Sequence, residues 1–181
     1  MTRQKNSIGL VELSSIAAGF QTADTMLKAA AVELLLNRTI CSGKYMVLVG
    51  GDVAAVQASV AAGVETAGVS VIDSCVIANI HPAVFPAVSG NVVAPRAGAL
   101  GILEAFSVAA LIEGADAAVK AADVQLLELR LAMAMGGKAF VRMTGSVASV
   151  EAGIRAGAQV VAARGLLVNQ AVRAAPAPQI F

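Results

Sequence analysis

The segment "NRTICSGKYM" places Cys41 beside a Ser42-Gly43 turn, between two apolar runs. A thiolate there can act as a nucleophile or as a soft metal ligand. A nucleophile needs a base and an orienting group, and the remaining candidates are Cys75 and the single histidine, His81. Their spacing suggests no such set. Cys75 lies in the mostly apolar "VIDSCVIANI", where a small buried hydrophobe is the expected role. His81, followed by Pro82, reads as a structural or contact residue rather than a catalytic one. Gly43-Lys44 and Gly137-Lys138 look like the end of a phosphate loop, but Arg38 or Ala132 stands where the earlier glycine is needed. Tyr45 or Ala139 then replaces the Ser/Thr. No enzyme is expected. One sulfur cannot make a metal site, so Cys41 gains a metal role only where several copies of its turn meet.

Composition points to such copies. The chain has 181 residues, 57% of them hydrophobic and 14% charged, with a mean hydropathy of +0.77. Alanine rather than leucine raises that value. The most apolar region, Tyr45 to Val64, is interrupted by Asp52, Gln57 and Ser59, so no membrane span is expected. A surface this poor in charge is expected to be covered partly by other copies of the chain. A net charge of +1 and 3% aromatic residues offer nucleic acid neither a field nor stacking platforms. Met1 to Ser7 is short and polar and reads as no secretory signal, which leaves the cytoplasm as the expected location, with both thiols reduced.

The elements that must position these residues occur twice. "IGLVELSSIAAGFQTADTMLKAAAVELL" from Ile8 matches "LGILEAFSVAALIEGADAAVKAADVQLL" from Leu100, setting Gly9 over Gly101, Glu12 over Glu104, Ser15 over Ser107, Asp24 over Asp116 and Lys28 over Lys120. Past the turn the match resumes two residues later, with Gly43-Lys44 over Gly137-Lys138, Gly51 over Gly145 and Gly63 over Gly157. The chain is a tandem duplication, and its second turn, which contains Met133 and Met135, is longer. The repeat of Glu12 and Glu104 argues for a shared structural role over a one-off catalytic carboxylate.

Each copy reads as strand, helix, hairpin, helix, strand. In copy one, Ile8 to Leu13 is the first strand, and Ser14 or Ser15 caps a helix with Ile16, Phe20, Ala23, Met26, Leu27 and Ala30 on its apolar stripe. Asp24 and Lys28 fall on its wet face. Val32 to Leu36 and Lys44 to Val49 flank the turn. Asp52 caps a second helix from Val53 to about Ala67, stopped near Gly68, and Val71 to Ile77 is the last strand. Pro82, Pro86 and Pro95 mark the connection between copies. The expected organisation is a domain over 8–81, a linker over 82–99 and a second domain over 100–176. The fold class is α/β (α+β), each copy a mostly antiparallel sheet with helices packed on it.

These repeats resemble the bacterial microcompartment shell domain, in its usual element order and in its tandem-domain form. The opening strand and helix of both copies carry the resemblance, with "TICSGK", "VIDSCVIANIHPAV" and "MAMGGKAFVRMTGSV". It implies a homotrimer of tandem chains that imitates a hexamer and tiles with other shell proteins around encapsulated enzymes in the bacterial cytoplasm. The family's edge lysine corresponds to Lys28 and Lys120. Its tile-edge Pro-Arg-Pro-His motif is partly present as "NIHP", with His81, while copy two has "AAPAP", with Ala175 at the arginine position. The resemblance further implies that the first-copy turn, Thr39, Ile40, Ser42 and Gly43, lines a central pore where Cys41 helps hold an iron–sulfur cluster. Three thiolates on a threefold axis would supply three of the four ligands of one 4Fe-4S cluster per trimer, the fourth being non-protein. The implied function is electron transfer or cluster delivery across the shell, with redox enzymes inside as partners. The alternative is a shell tile with an open pore that conducts small metabolites and holds no cluster. The longer, apolar turn of copy two can fold away and leave the axis to the three Cys41 turns, and methionines packed there as flexible filler fit the sequence equally well.

Overall fold

The computed structural model describes residues 6–92, 98–133 and 135–181, and the chain divides into two compact units, Met1–Pro82 and Ala83–Phe181. In the first, β1 (Ser7–Leu13) leads into α1 (Ile16–Ala29), a hairpin of β2 (Glu33–Ile40) and β3 (Lys44–Gly51), then α2 (Val53–Ala67) and β4 (Val71–Ala78). The second begins with a short α3 (Val84–Val88). It then repeats the order with β5 (Ala99–Ala105), α4 (Val108–Ala121), β6 (Val124–Leu131), β7 (Ala139–Gly145), α5 (Val147–Ala163) and β8 (Leu167–Arg173).

Each unit is one antiparallel sheet with two long helices packed on it, ordered β2-β3-β1-β4 and β6-β7-β5-β8. Duplication reaches the irregularities. The register slips between Glu12 and Leu13 and again between Glu104 and Ala105. It slips between Leu34 and Leu36 and again between Leu126 and Glu128. Such bulges are specified features of a strand pair rather than accidents, so their repetition shows one backbone plan used twice.

Helix starts follow the short polar side chains. Ser15 Oγ accepts from the Ala18 amide at 3.3 Å and Ser107 Oγ from Ala110 at 3.2 Å. Asp52 Oδ1 accepts from Ala55 at 2.9 Å. Each satisfies a first-turn amide that has no partner within the helix. In copy one the helix-side core joins Val11, Leu13, Val47 and Val49 of the sheet to Ala23 and Met26 of α1 and Val56 and Val60 of α2. Helix and sheet approach so closely that a Cβ on Gly9 would stand 2.5 Å from Val60, and one on Gly101 2.7 Å from Val150. That explains glycine at both equivalent positions.

Several local expectations are corrected. The stripe of α1 is divided: Ala23 and Met26 are buried, but Ile16, Phe20 and Leu27 are 43%, 61% and 38% exposed. Phe20 only leans on Tyr45, ring centroids 5.2 Å apart, and burial raises the pKa of the Tyr45 hydroxyl. In copy two the equivalent Val108 and Ile112 are 3% and 0% exposed. Asp116, the repeat equivalent of the wet-face Asp24, is only 8% exposed. β2 continues past Leu36 to Ile40, because pairing with β3 holds through Asn37, Arg38 and Thr39; an edge strand tolerates those polar side chains. The connection is not featureless. α3 buries Val84, Ala87 and Val88 and packs on β6 and α4, whereas Pro95 lies outside the described residues.

Val53–Ser70 is long and apolar enough to cross a membrane by length and composition, with a mean hydropathy of 1.2. Much of that value is alanine. Its helix packs on β1, β4 and α1, with Val56, Ser59, Val60, Gly63 and Ala67 buried, as an ordinary layer of the fold.

Candidate functional site

Cys41 opens a single 3-10 turn, Cys41–Gly43, that closes the β2–β3 hairpin. Gly43 has φ +74°, with nothing within 4 Å of where a Cβ would stand. Backbone conformation rather than space therefore selects glycine there. The last rungs of the hairpin pair Thr39 with Tyr45 and Ile40 with Lys44, so the turn stands at the end of a rigid ladder. Cys41 itself is partly exposed.

The residues expected beside it divide. Thr39 is exposed. Ile40 is 7% exposed, because strand alternation turns it inward; it roots the turn instead of offering its side chain to a pore. The side chain of Ser42 lies outside the described residues.

Lys44, dismissed as a failed phosphate-loop lysine, has a different role. Its Nζ donates to Glu12 Oε1 at 2.8 Å, tying the residue after the turn to β1. Glu12 is the more enclosed partner, its side chain 15% exposed against 37% for the lysine. For Glu12 this is a structural role; the equivalent Glu104 and Lys138 of copy two stand farther apart, at 3.8 Å. Arg38, in the same hairpin, is partly buried, and desolvation lowers its pKa. The available signal for the lysine was the joint repeat of Glu12 with Lys44 and of Glu104 with Lys138. Nothing in sequence signals the burial of Arg38.

Cys75 cannot share a site with Cys41. It pairs with Leu10, which also pairs with Leu48, about four strand residues from the turn end of β3. At a rise of about 3.3 Å per residue that is roughly 13 Å along the sheet. Among the described residues no group of three metal-ligating side chains occurs. The donor, a thiol at an open turn, suits iron–sulfur chemistry; a complete ligand set requires further copies.

The residues expected at tile edges lie elsewhere. Lys28, in the last turn of α1, reaches Asp24 at 2.6 Å, both side chains largely exposed. Lys120 reaches Asp116 at 2.5 Å, where the carboxylate side chain is 12% exposed. His81 follows the end of β4, next to the buried Ile80 whose amide donates to Asn6 O at 2.9 Å. In copy two the turn is longer, and Met133 is 49% exposed.

The BMC domain profile matches residues 7–80 and again 99–176. The chain belongs to the bacterial microcompartment (BMC) domain family. It is 43% identical over 166 residues to the microcompartment shell protein PduT of Citrobacter freundii, covering 92% of this chain and 90% of that one. A crystal structure of a microcompartments protein from Desulfitobacterium hafniense superposes with a TM-score of 0.95 at 48% identity, over 98% of each chain. The carboxysome shell protein CcmK2 of Thermosynechococcus vestitus is 43% identical over 79 residues, 41% of this chain and 78% of its own. This chain is therefore a PduT-like structural shell protein of a bacterial microcompartment, a cytoplasmic assembly, and not an enzyme.

Proposed function

We propose that this shell protein is a homotrimeric, pseudohexameric tile whose central pore holds one 4Fe-4S cluster through Cys41 of three chains. The position of Cys41 carries the reading: a thiol at an open hairpin tip, on a turn fixed by the Lys44–Glu12 bond. Support for further copies comes from the unequal repeats. Ile16 and Phe20 are exposed in copy one where Val108 and Ile112 of copy two are buried; a second chain is the natural cover for an apolar helix face of this kind.

In such a trimer the three Cys41 thiolates hold the cluster, and the Lys44–Glu12 pairs keep the turns from splaying. When bound, the cluster supplies a one-electron redox centre in the shell wall. Held by the three Cys41 thiolates, such a centre would serve electron transfer across the shell or cluster delivery to redox enzymes inside. Without the cluster, the same tile would offer an open pore to small metabolites. Anaerobic reconstitution with iron and sulfide separates the two. The cluster reading expects a brown protein absorbing broadly near about 400 nm, its colour lost in Cys41→Ser. A colourless wild-type trimer with titratable Cys41 thiols supports the open pore instead.

A further inference from the structure

We infer that copy two carries a binding pocket for a small, uncharged, hydroxyl-bearing aliphatic molecule, built where its Glu–Lys pair has opened. In copy one, Lys44 and Glu12 close to 2.8 Å. The equivalent Lys138 and Glu104 stand 3.8 Å apart, their side chains 43% and 36% exposed. Between them and the longer turn lies a cavity of about 280 Å³ lined by Glu104, Met135, Lys138, Ala139 and Phe140.

The two extra residues are accommodated by left-handed backbone at Ala132, Gly136 and Gly137, with φ of +49°, +61° and +86°. This course brings Met135 to the pocket wall. The second wall is Phe140, opposite Glu104 in the β5–β7 register and held on its other side by Arg130, 5.7 Å from the ring centroid. Arg130 is engaged by Glu128 at 2.6 Å, so the polar end of the pocket is left to one ammonium and one carboxylate.

Opposite charges side by side favour neither an anion nor a cation. A hydroxyl can accept from the Lys138 ammonium and donate to the Glu104 carboxylate at once, while Met135 and Phe140 cover a short alkyl chain. The copy-one pair is already closed and offers no such gap. The inference is independent of any cluster at Cys41.

A matched series tests it: 1-propanol, propionate and n-propylammonium share a chain and differ in head-group charge. They are titrated into the assembled protein carrying methyl-labelled methionine. Met135, assigned through Met135→Leu, is the reporter, and the buried Met26, Met46 and Met143 report the fold. The expected result is a saturable Met135 shift with 1-propanol in the millimolar range, with binding weakened about tenfold in Lys138→Met and in Glu104→Gln. Equal binding of propionate or propylammonium, no Met135 shift with any of the three, or undiminished binding by folded Lys138→Met would overturn it.

Discussion

The two cysteines differ in what their side chains do. Cys41 is partly exposed on a single 3-10 turn outside the apolar core, so Cys41→Ser should leave the melting temperature nearly unchanged while removing the reconstituted chromophore. Cys75 is partly exposed in β4 rather than the fully buried hydrophobe expected, and Cys75→Ser should keep the chromophore and cost at most about 1 kcal/mol. Paired absorption spectra and thermal melts of the two variants check this contrast; colour loss in the Cys75 variant would refute it. The two lysines expected at tile edges also differ. The Lys28–Asp24 pair is exposed on both sides, so Lys28→Ala should weaken sheet formation with no change in stability. Lys120 pairs with a carboxylate only 12% exposed, so Lys120→Ala should weaken sheets and also lower the melting temperature by a few degrees, for a loss of about 1 kcal/mol. Electron micrographs of assembled protein, with melts of the protein in solution, separate the two effects.

At the scale of elements, the Cys41 turn is held by Gly43 at one position and by the Lys44–Glu12 bond at the next. Gly43→Ala meets no steric obstacle but must adopt φ +74°, at a cost of about 1 kcal/mol. A stability loss of that size, with the sheet intact by circular dichroism, is the expected outcome. Gly9→Ala should behave differently, forcing a methyl against Val60 and Val56 at about 1–3 kcal/mol. A denaturation series that ranks Gly43→Ala above Gly9→Ala in cost would contradict this account. The repeat made these elements legible, since two copies of one pattern constrain strand, helix, cap and turn together. Asp52, Gly68 and Ser15 were readable because capping is local chemistry. The exposure of Phe20 and Ile16 was not readable, because helical spacing says which residues share a face but not whether anything covers it. Asp116 shows the converse: the same i, i+4 pair is wet in one copy and enclosed in the other, and only tertiary packing distinguishes them. α3 is not legible in the sequence because Pro82 and Pro86 read as breakers, although Pro86 fits within so short a helix.

At the scale of the whole molecule, duplication permits divergence between copies. The first retains a short turn with a thiol and a closed ion pair; the second has a longer, methionine-bearing turn and an open pair. A symmetric ring of identical single domains could not assign these features to alternate positions, whereas a tandem chain can. The central claim joins assembly to chemistry, since Cys41 becomes a metal site only when three chains meet. Native mass spectrometry of protein reconstituted without oxygen tests both together. The account predicts three chains of 18.1 kDa each plus the mass of one four-iron, four-sulfur cluster, reduced to three bare chains in Cys41→Ser. A wild-type trimer without added mass, or cluster mass on a single chain, would contradict it.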